Sequence, residues 1–182
     1  MKCQAPRLLG LGDAHAKIKV YIGNQPSFAF PEKIADFRAL STGEIAAIGN
    51  ACGNGWRKVF NVYAKWLFTC SNEIYPLAAQ FPTWQFFRDN LLLQADSKTA
   101  LIFETPTVLE NNSLNVIMGR TYAKTLPLAE QLYWLNNEFA VSVKHNLVVC
   151  PYFDYRQLSN QKIGFLINTI RGSLNVGTFE GI

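Results

Sequence analysis

Four short apolar runs, spaced widely along the chain, constrain the fold more than any other feature of the sequence. They cover residues 20–22, 101–103, 116–118 and 147–149, within strands predicted over 16–22, 98–104, 114–118 and 147–149. Short runs that are bounded by turn residues and separated by helical patterns are typical of buried parallel strands. We therefore predict an α/β fold with three layers, in which helices cover both faces of a mainly parallel, four-stranded sheet.

Helical patterns occupy the segments between these runs. One helix is predicted to start near Ser41, where Glu44 supplies the capping-box spacing, and to end at Gly53. Further helices are predicted over residues 56–68, after Pro82, over 120–136 with an interruption at Pro127, and over 159–171. A short extra strand is predicted within residues 139–143.

Length and composition favour one globular domain. The chain has 182 residues, of which 49% are hydrophobic, and no linker divides it. We predict a single α/β domain over residues 1–182, with a frayed tail from about residue 177. The net charge of +4 is compatible with attraction to phosphates but does not require nucleic acid as a partner.

The sequence shows no signal for a membrane, a metal or a cofactor. No apolar stretch approaches the roughly 18 residues that cross a bilayer, and the N-terminus lacks the apolar segment of a signal peptide. Four scattered cysteines and two histidines indicate neither a zinc site nor a disulfide framework. We expect a cytoplasmic protein without a cofactor and without a membrane partner.

Residues suited to ligand binding follow each of the four apolar runs. In open parallel sheets, ligands bind where the carboxyl ends of the strands meet. The candidate ligand-binding residues at that edge are Asn24, Gln25, Phe28, Glu104, Arg120, Cys150, Tyr152 and Arg156.

Two segments carry alternative interpretations. The loop from Tyr152 to Arg156 combines aromatic, acidic and basic side chains, so it could stack on a base and contact phosphate, or cover the core or a subunit interface. The helix over residues 56–68 has a basic outer face with Arg57, Lys58 and Lys65, which suits phosphate contacts or an ordinary solvated surface. His145 is the histidine nearest to Cys150, but about 16 Å of extended chain separates them, which argues against a local catalytic pair.

Three segments resemble motifs of the uracil-DNA glycosylase-like superfamily, and they occur in the same order. The run Tyr-Ile-Gly-Asn-Gln-Pro at residues 21–26 resembles the first motif of that superfamily. The run Val-Ile-Met-Gly-Arg-Thr-Tyr-Ala at residues 116–123 resembles its strand that ends in Gly-x-x-Ala. The run Leu-Val-Val-Cys-Pro at residues 147–151, with Leu158 and Ser159 beyond, resembles the strand that leads to its histidine loop. Gln25 stands where the family has its water-activating acid, and Cys150 stands where it has the histidine that stabilises the base anion. The resemblance implies a glycosylase-like fold that lacks standard glycosylase catalysis. In style, the chain also resembles small bacterial proteins encoded on mobile gene cassettes.

These observations favour recognition of a nucleobase, a nucleotide or a nucleic acid. Asn24 and Gln25 would contact the base edge, Phe28 or Tyr152 would stack on the base, and the two arginines of the candidate set would bind phosphate. The alternative is a non-enzymatic homodimer whose aromatic residues form the subunit interface. A third hypothesis is an enzyme that acts on a small substrate through Glu104 or Cys150.

Overall fold

The computed structural model describes residues 9–30 and 37–175, and within them strands and helices alternate along most of the chain. The strands are β1 (Gly10–Gly12), β2 (Ile18–Tyr21), β3 (Phe37–Arg38), β4 (Thr99–Ile102), β5 (Leu114–Met118), β6 (Tyr133–Trp134), β7 (Ala140–Ser142) and β8 (Leu147–Cys150). The helices are α1 (Glu44–Cys52), α2 (Asn54–Thr69), α3 (Trp84–Asn90), α4 (Arg120–Thr125) and α5 (Asn160–Ser173). Short 3₁₀ turns lie at Pro76–Gln80, Ala129–Gln131 and Val143–His145. The tail predicted to fray from residue 177 lies outside the described residues.

All eight strands form one mixed sheet in the order β3-β1-β4-β2-β5-β8-β7-β6. The four central strands β4, β2, β5 and β8 are mutually parallel. On one side, β1 runs antiparallel to β4 and parallel to β3; on the other, β7 runs antiparallel to β8 and β6 antiparallel to β7. The strands predicted from the four apolar runs therefore lie at the centre of a larger sheet.

The predicted four-stranded, mainly parallel sheet is wrong, because the sheet has eight strands of mixed direction. The outer strands β1, β3, β6 and β7 contain only two or three residues each. Strand β7 confirms the short extra strand predicted within residues 139–143, whereas β1, β3 and β6 show too few alternating positions to be recognised by periodicity. The interruption predicted at Pro127 is present, because α4 ends at Thr125 and Leu126 is extended at ψ 150°. Beyond it the predicted helix is wrong, since the chain forms only the short 3₁₀ turn Ala129–Gln131 before β6.

Side-chain alternation divides the sheet between two apolar clusters of unequal size. Val20, Val116 and Val148 face the larger cluster, to which α1, α2, α3 and α5 all contribute. Residues one position further along the same strands face the smaller cluster, which α4 covers through Ala123. Helices therefore cover both faces, with four on one and the short α4 on the other.

Helix α2 is the central element of the larger cluster and confirms the amphipathic helix predicted over residues 56–68. Val59, Phe60, Tyr63, Trp66 and Leu67 recur at helical spacing and are completely buried. The hydroxyl of Tyr63 donates a hydrogen bond of 3.0 Å to the carbonyl oxygen of Ala100 in β4. The buried stripe thus joins the helix to the centre of the sheet, and its tyrosine hydroxyl has a hydrogen-bond partner.

Candidate functional site

The connections of the central strands diverge between β2 and β5. After β2 the chain runs to β3 and then β4 on one side of the sheet, whereas after β5 it runs to β6, β7 and β8 on the other. A reversal of this kind leaves a crevice beyond the carboxyl ends of the two adjacent strands, and ligands of open α/β folds bind there. The topology therefore places the candidate site next to the residues that follow Tyr21 and Met118.

A cleft of about 440 Å³ occupies this position. Its volume lies within the usual range of small-molecule pockets, roughly 300–1,000 Å³. The residues that line it end or follow three of the central strands, except Glu138, which precedes β7: Gly23, Asn24, Met118, Gly119, Arg120, Thr121, Tyr122, Pro151, Tyr152, Gln157 and Glu138.

Two glycines keep the backbone at the base of the cleft accessible. Gly119 has a φ of +104°, which L-residues with side chains rarely adopt, and its N–H donates 2.8 Å to the carbonyl oxygen of Cys150. A Cβ at Gly119 would lie 3.9 Å from the Cβ of Tyr122 and 4.0 Å from the Cδ2 of Tyr152. A Cβ at Gly23 would lie only 3.0 Å from the Tyr122 ring. The glycine backbone therefore adjoins two aromatic rings, an arrangement that suits a flat ligand.

Several polar side chains converge on the same cleft. The Tyr152 hydroxyl donates 3.4 Å to Oδ1 of Asn24, which links the segments after β8 and β2. Nη1 of Arg120 donates 3.1 Å to the carbonyl oxygen of Asn137, and Oε1 of Glu138 accepts a hydrogen bond of 2.7 Å from Nζ of Lys162. The cleft therefore offers a guanidinium, a carboxylate and amide groups within one small volume.

Burial affects both tyrosines of the cleft. It raises the pKa of Tyr122 and of Tyr152 above the usual value of a phenol, although hydrogen bonds to Thr105 and Asn24 partly oppose the shift. Both phenols are therefore neutral at physiological pH and can donate hydrogen bonds without repelling an anionic ligand.

The loop after β8 is anchored to helix α2. The Phe153 ring is completely buried, with its centroid 5.6 Å from that of Tyr63 and 6.0 Å from that of Trp66. Nζ of Lys58 donates 2.8 Å to Oδ2 of Asp154, and this hydrogen bond lowers the pKa of the Asp154 carboxyl. These contacts hold Tyr152 at the edge of the cleft through its immediate neighbours in the chain.

The structure brings together some of the residues predicted from the sequence and separates others. Asn24, Arg120 and Tyr152 line the cleft. Gln25, Glu104 and Arg156 are exposed outside the lining, while Phe28 packs against the larger cluster and Cys150 is completely buried within it.

Sequence reasoning missed four polar residues of the lining, namely Thr121, Tyr122, Glu138 and Gln157. Tyr122 lies in α4, three positions after the glycine that follows β5, so its contact with Gly23 depends on the packing of that helix. Glu138 lies in a turn in which Oδ1 of Asn136 accepts hydrogen bonds of 2.8 and 2.9 Å from the N–H groups of residues 138 and 139. An Asn-centred turn can be anticipated from sequence, but its position against another loop cannot.

Burial excludes Cys150 from chemistry in the cleft. Its exposed fraction is 0%, and burial raises the pKa of its thiol far above the ordinary value. His145, the nearest histidine in sequence, pairs instead with Oε1 of Gln131 at 2.7 Å. The buried thiol therefore has neither the ionisation nor the access of a nucleophile.

We expect iodoacetamide at pH 8 to modify half-buried Cys52 in the native protein much faster than Cys150, because Cys52, unlike Cys150, is reachable without local unfolding. Peptide mapping by mass spectrometry after short reaction times measures both rates, and denatured protein provides the control in which both thiols react. Equal modification of the two cysteines in the native state would contradict the burial of Cys150.

Residues 9–30 and 37–175 contain neither a cluster suited to a metal ion nor a helix suited to spanning a membrane. In that part of the chain no three His, Cys, Asp or Glu side chains are grouped so that they could hold a metal ion. None of the helices described there combines the length and apolar character of a membrane span.

Comparison with known proteins places the chain in a family. The model of a family of unknown function, DUF6942, matches residues 9–171, which include every strand and nearly all of the helical residues described above. No curated protein and no solved structure matches the chain. With the matched region covering the whole sheet and the cleft, the chain belongs to the DUF6942 family of unknown function.

Proposed function

We propose that the cleft between the ends of β2 and β5 recognises a nucleobase as part of a nucleotide or a nucleic acid. The observation that carries this proposal is the combination of an open glycine backbone at Gly23 and Gly119 with the adjoining rings of Tyr122 and Tyr152. Aromatic stacking on a base contributes roughly 1–3 kcal/mol and requires such a flat surface.

The polar groups of the cleft suit the other parts of a nucleotide. The amides of Asn24 and Gln157 can donate to and accept from the edge of a base, and the carboxylate of Glu138 can accept hydrogen bonds from it. The Arg120 guanidinium uses one described hydrogen bond, to a carbonyl oxygen, and retains N–H groups for a phosphate. The net charge of +4 adds a general attraction for phosphate.

The proposed role is recognition without base excision. Excision requires charged groups that stabilise the departing base. Gln25, at the position where the resembling superfamily has its acid, is neutral and lies outside the lining of the cleft. Cys150, at the position of the histidine, is buried in the core. These two placements support a binding function in which the glycosidic bond stays intact.

The test is a thermal-shift screen with nucleosides, nucleoside 5′-monophosphates and short single-stranded DNA, followed by calorimetry on the ligands that raise the Tm. We expect the monophosphate of the preferred base to bind more tightly than its nucleoside, because Arg120 contacts the phosphate. Affinity for DNA should fall as salt increases.

Matched variants make the screen specific to the cleft. Tyr152→Ala should weaken binding about tenfold or more, and Arg120→Gln should abolish the preference for the monophosphate. Tyr133→Ala in β6 and Arg171→Gln in α5 remove an exposed tyrosine and an exposed arginine outside the cleft, so they should bind as the unmodified protein does. If no ligand of the panel raises the Tm, or if Tyr152→Ala binds normally, the proposal is rejected.

A second candidate function is a homodimer formed through the outer edge of the sheet. Strand β6 is the last strand at that edge, and Tyr133 and Val143 near it are 71% and 70% exposed. Exposed strand edges with apolar side chains are common sites of association. Sedimentation equilibrium at micromolar concentration should then detect a dimer that Tyr133→Lys dissociates, whereas a monomer would rule this candidate out.

A further inference from the structure

A second, smaller pocket of about 170 Å³ lies between helices α1, α2 and α3. None of its lining residues belongs to the cleft at the carboxyl ends of the strands. Its base includes the buried Ile45 and Phe60, and its polar lining consists of four nitrogen-bearing side chains, Asn50, Arg57, Asn61 and Arg88.

Arg57 is held in place by neutral partners. Its Nη1 donates 3.0 Å to Oδ1 of Asn54 and its Nη2 donates 2.8 Å to Oδ1 of Asn50. Among the described residues no carboxylate pairs with this guanidinium. A Cβ at Gly49 would lie 2.7 Å from the Cγ of Arg57, so the glycine in α1 makes room for the arginine stem. The charge of Arg57 is therefore oriented, and no described residue neutralises it.

Arg88 approaches the same pocket from α3. Its Nη1 donates to Oδ1 of Asn61, while its Nε and Nη2 donate 2.7 and 3.0 Å to the carboxylate of Asp89. The oxygens of Asn50 and Asn61 both accept from guanidinium groups, and the NH₂ groups of these amides donate to no other described residue. The amides and guanidiniums that line the pocket therefore still have N–H groups to offer.

A surplus of donors and an unneutralised positive charge define the chemistry of the ligand. We propose that this pocket binds a phosphate group. The unused N–H groups of two arginines and two asparagines outnumber the roughly four lone-pair positions of a carboxylate. A phosphate has more acceptor oxygens and therefore matches these donors better. The pocket is also smaller than the roughly 300 Å³ at which sites for whole small molecules begin, so it fits one anionic group.

The test is a titration of the protein with inorganic phosphate at constant ionic strength, followed by NMR. The side-chain amide signals of Asn50 and Asn61 and the Nε signal of Arg57 are expected to shift and to saturate together. Sodium acetate is the matched titrant with a carboxylate, and it should shift the same signals much more weakly. Acetate binding as tightly as phosphate would overturn the assignment.

Two variants separate the pocket from the general charge of the protein. Arg57→Gln removes the charge, and Gly49→Ala keeps it while displacing the arginine stem, so each should weaken phosphate binding about tenfold or more. Lys144→Gln removes an exposed charge outside the pocket and should bind phosphate normally. Normal binding by Gly49→Ala, or equal losses in Arg57→Gln and Lys144→Gln, would overturn the proposal.

The phosphate could belong to a small metabolite or to a nucleic-acid backbone, and two further titrants distinguish these sources. If ribose 5-phosphate saturates the signals at a lower phosphate concentration than a single-stranded hexanucleotide does, the ligand is a small phosphomonoester. If the hexanucleotide saturates the signals at the lower phosphate concentration, the ligand is the phosphate backbone of a nucleic acid. Saturation by neither would overturn the proposal. Because Arg120→Gln should leave these signals unchanged, failure of the cleft and failure of this pocket are separate results.

Discussion

Replacing Phe153 with alanine is expected to lower the free energy of unfolding by about 3–5 kcal/mol, the usual loss for a large aromatic residue in a core. The ring is completely buried and makes edge-to-face contacts with Tyr63 and Trp66 of α2. Its removal would leave a cavity between the helix and the loop that carries Tyr152. Urea denaturation followed by circular dichroism measures this loss.

A matched substitution and a milder one complete this test. Phe165→Ala removes a phenylalanine of α5 that is 41% exposed, so its cost should be clearly smaller. Phe153→Leu should fold and should lose affinity for the cleft ligand, because Tyr152 then loses its anchor. If Phe153→Ala were no more costly than Phe165→Ala, the loop after β8 would not be anchored as described.

Replacing Gly12 with alanine is expected to cost about 3 kcal/mol or more, because two penalties act at one position. Gly12 has a φ of +122°, and a Cβ there would lie 2.3 Å from the carbonyl oxygen of Thr99. The backbone of β4 cannot yield at this point without breaking the pairing of Gly12 with Ala100. We therefore expect β1 to separate from the sheet.

Gly172→Ala provides the matched control, because a Cβ at this glycine of α5 meets nothing within 4 Å. This control should leave stability unchanged or raise it slightly, since alanine favours helix over glycine. Thermal unfolding of both variants measures the difference. A Gly12→Ala variant as stable as the control would contradict the close approach of β1 to β4.

The centre of the fold and the short strand β7 could be predicted from the sequence, whereas the other outer strands could not. The central strands are four or five residues long and mainly apolar on both faces, with Lys19 and Asn115 as internal exceptions, so each gives a clear signal. The outer strands are shorter, and two of the three residues of β1 are glycines whose role appears only when β4 lies against them. Their pairing is a tertiary effect that local pattern does not encode.

The candidate site, like the sheet, could be predicted from the sequence only in part. Asn24, Arg120 and Tyr152 follow central strands, and topology alone brings such residues to one edge. Cys150 also ends a strand, but it lies two positions after Val148 and so shares the core-facing side of β8. Glu138 enters the cleft from a turn before β7, a strand antiparallel to the central ones, and its position depends on three-dimensional packing.

The most direct test of the proposed cleft is a backbone ¹⁵N NMR titration with the nucleoside 5′-monophosphate that gives the largest thermal shift. The expected result is that the largest changes occur at the amides of Gly23, Asn24, Gly119, Arg120 and Tyr152, which line the cleft. Saturating binding that leaves these five amides unchanged, with the changes confined to another surface, would contradict it.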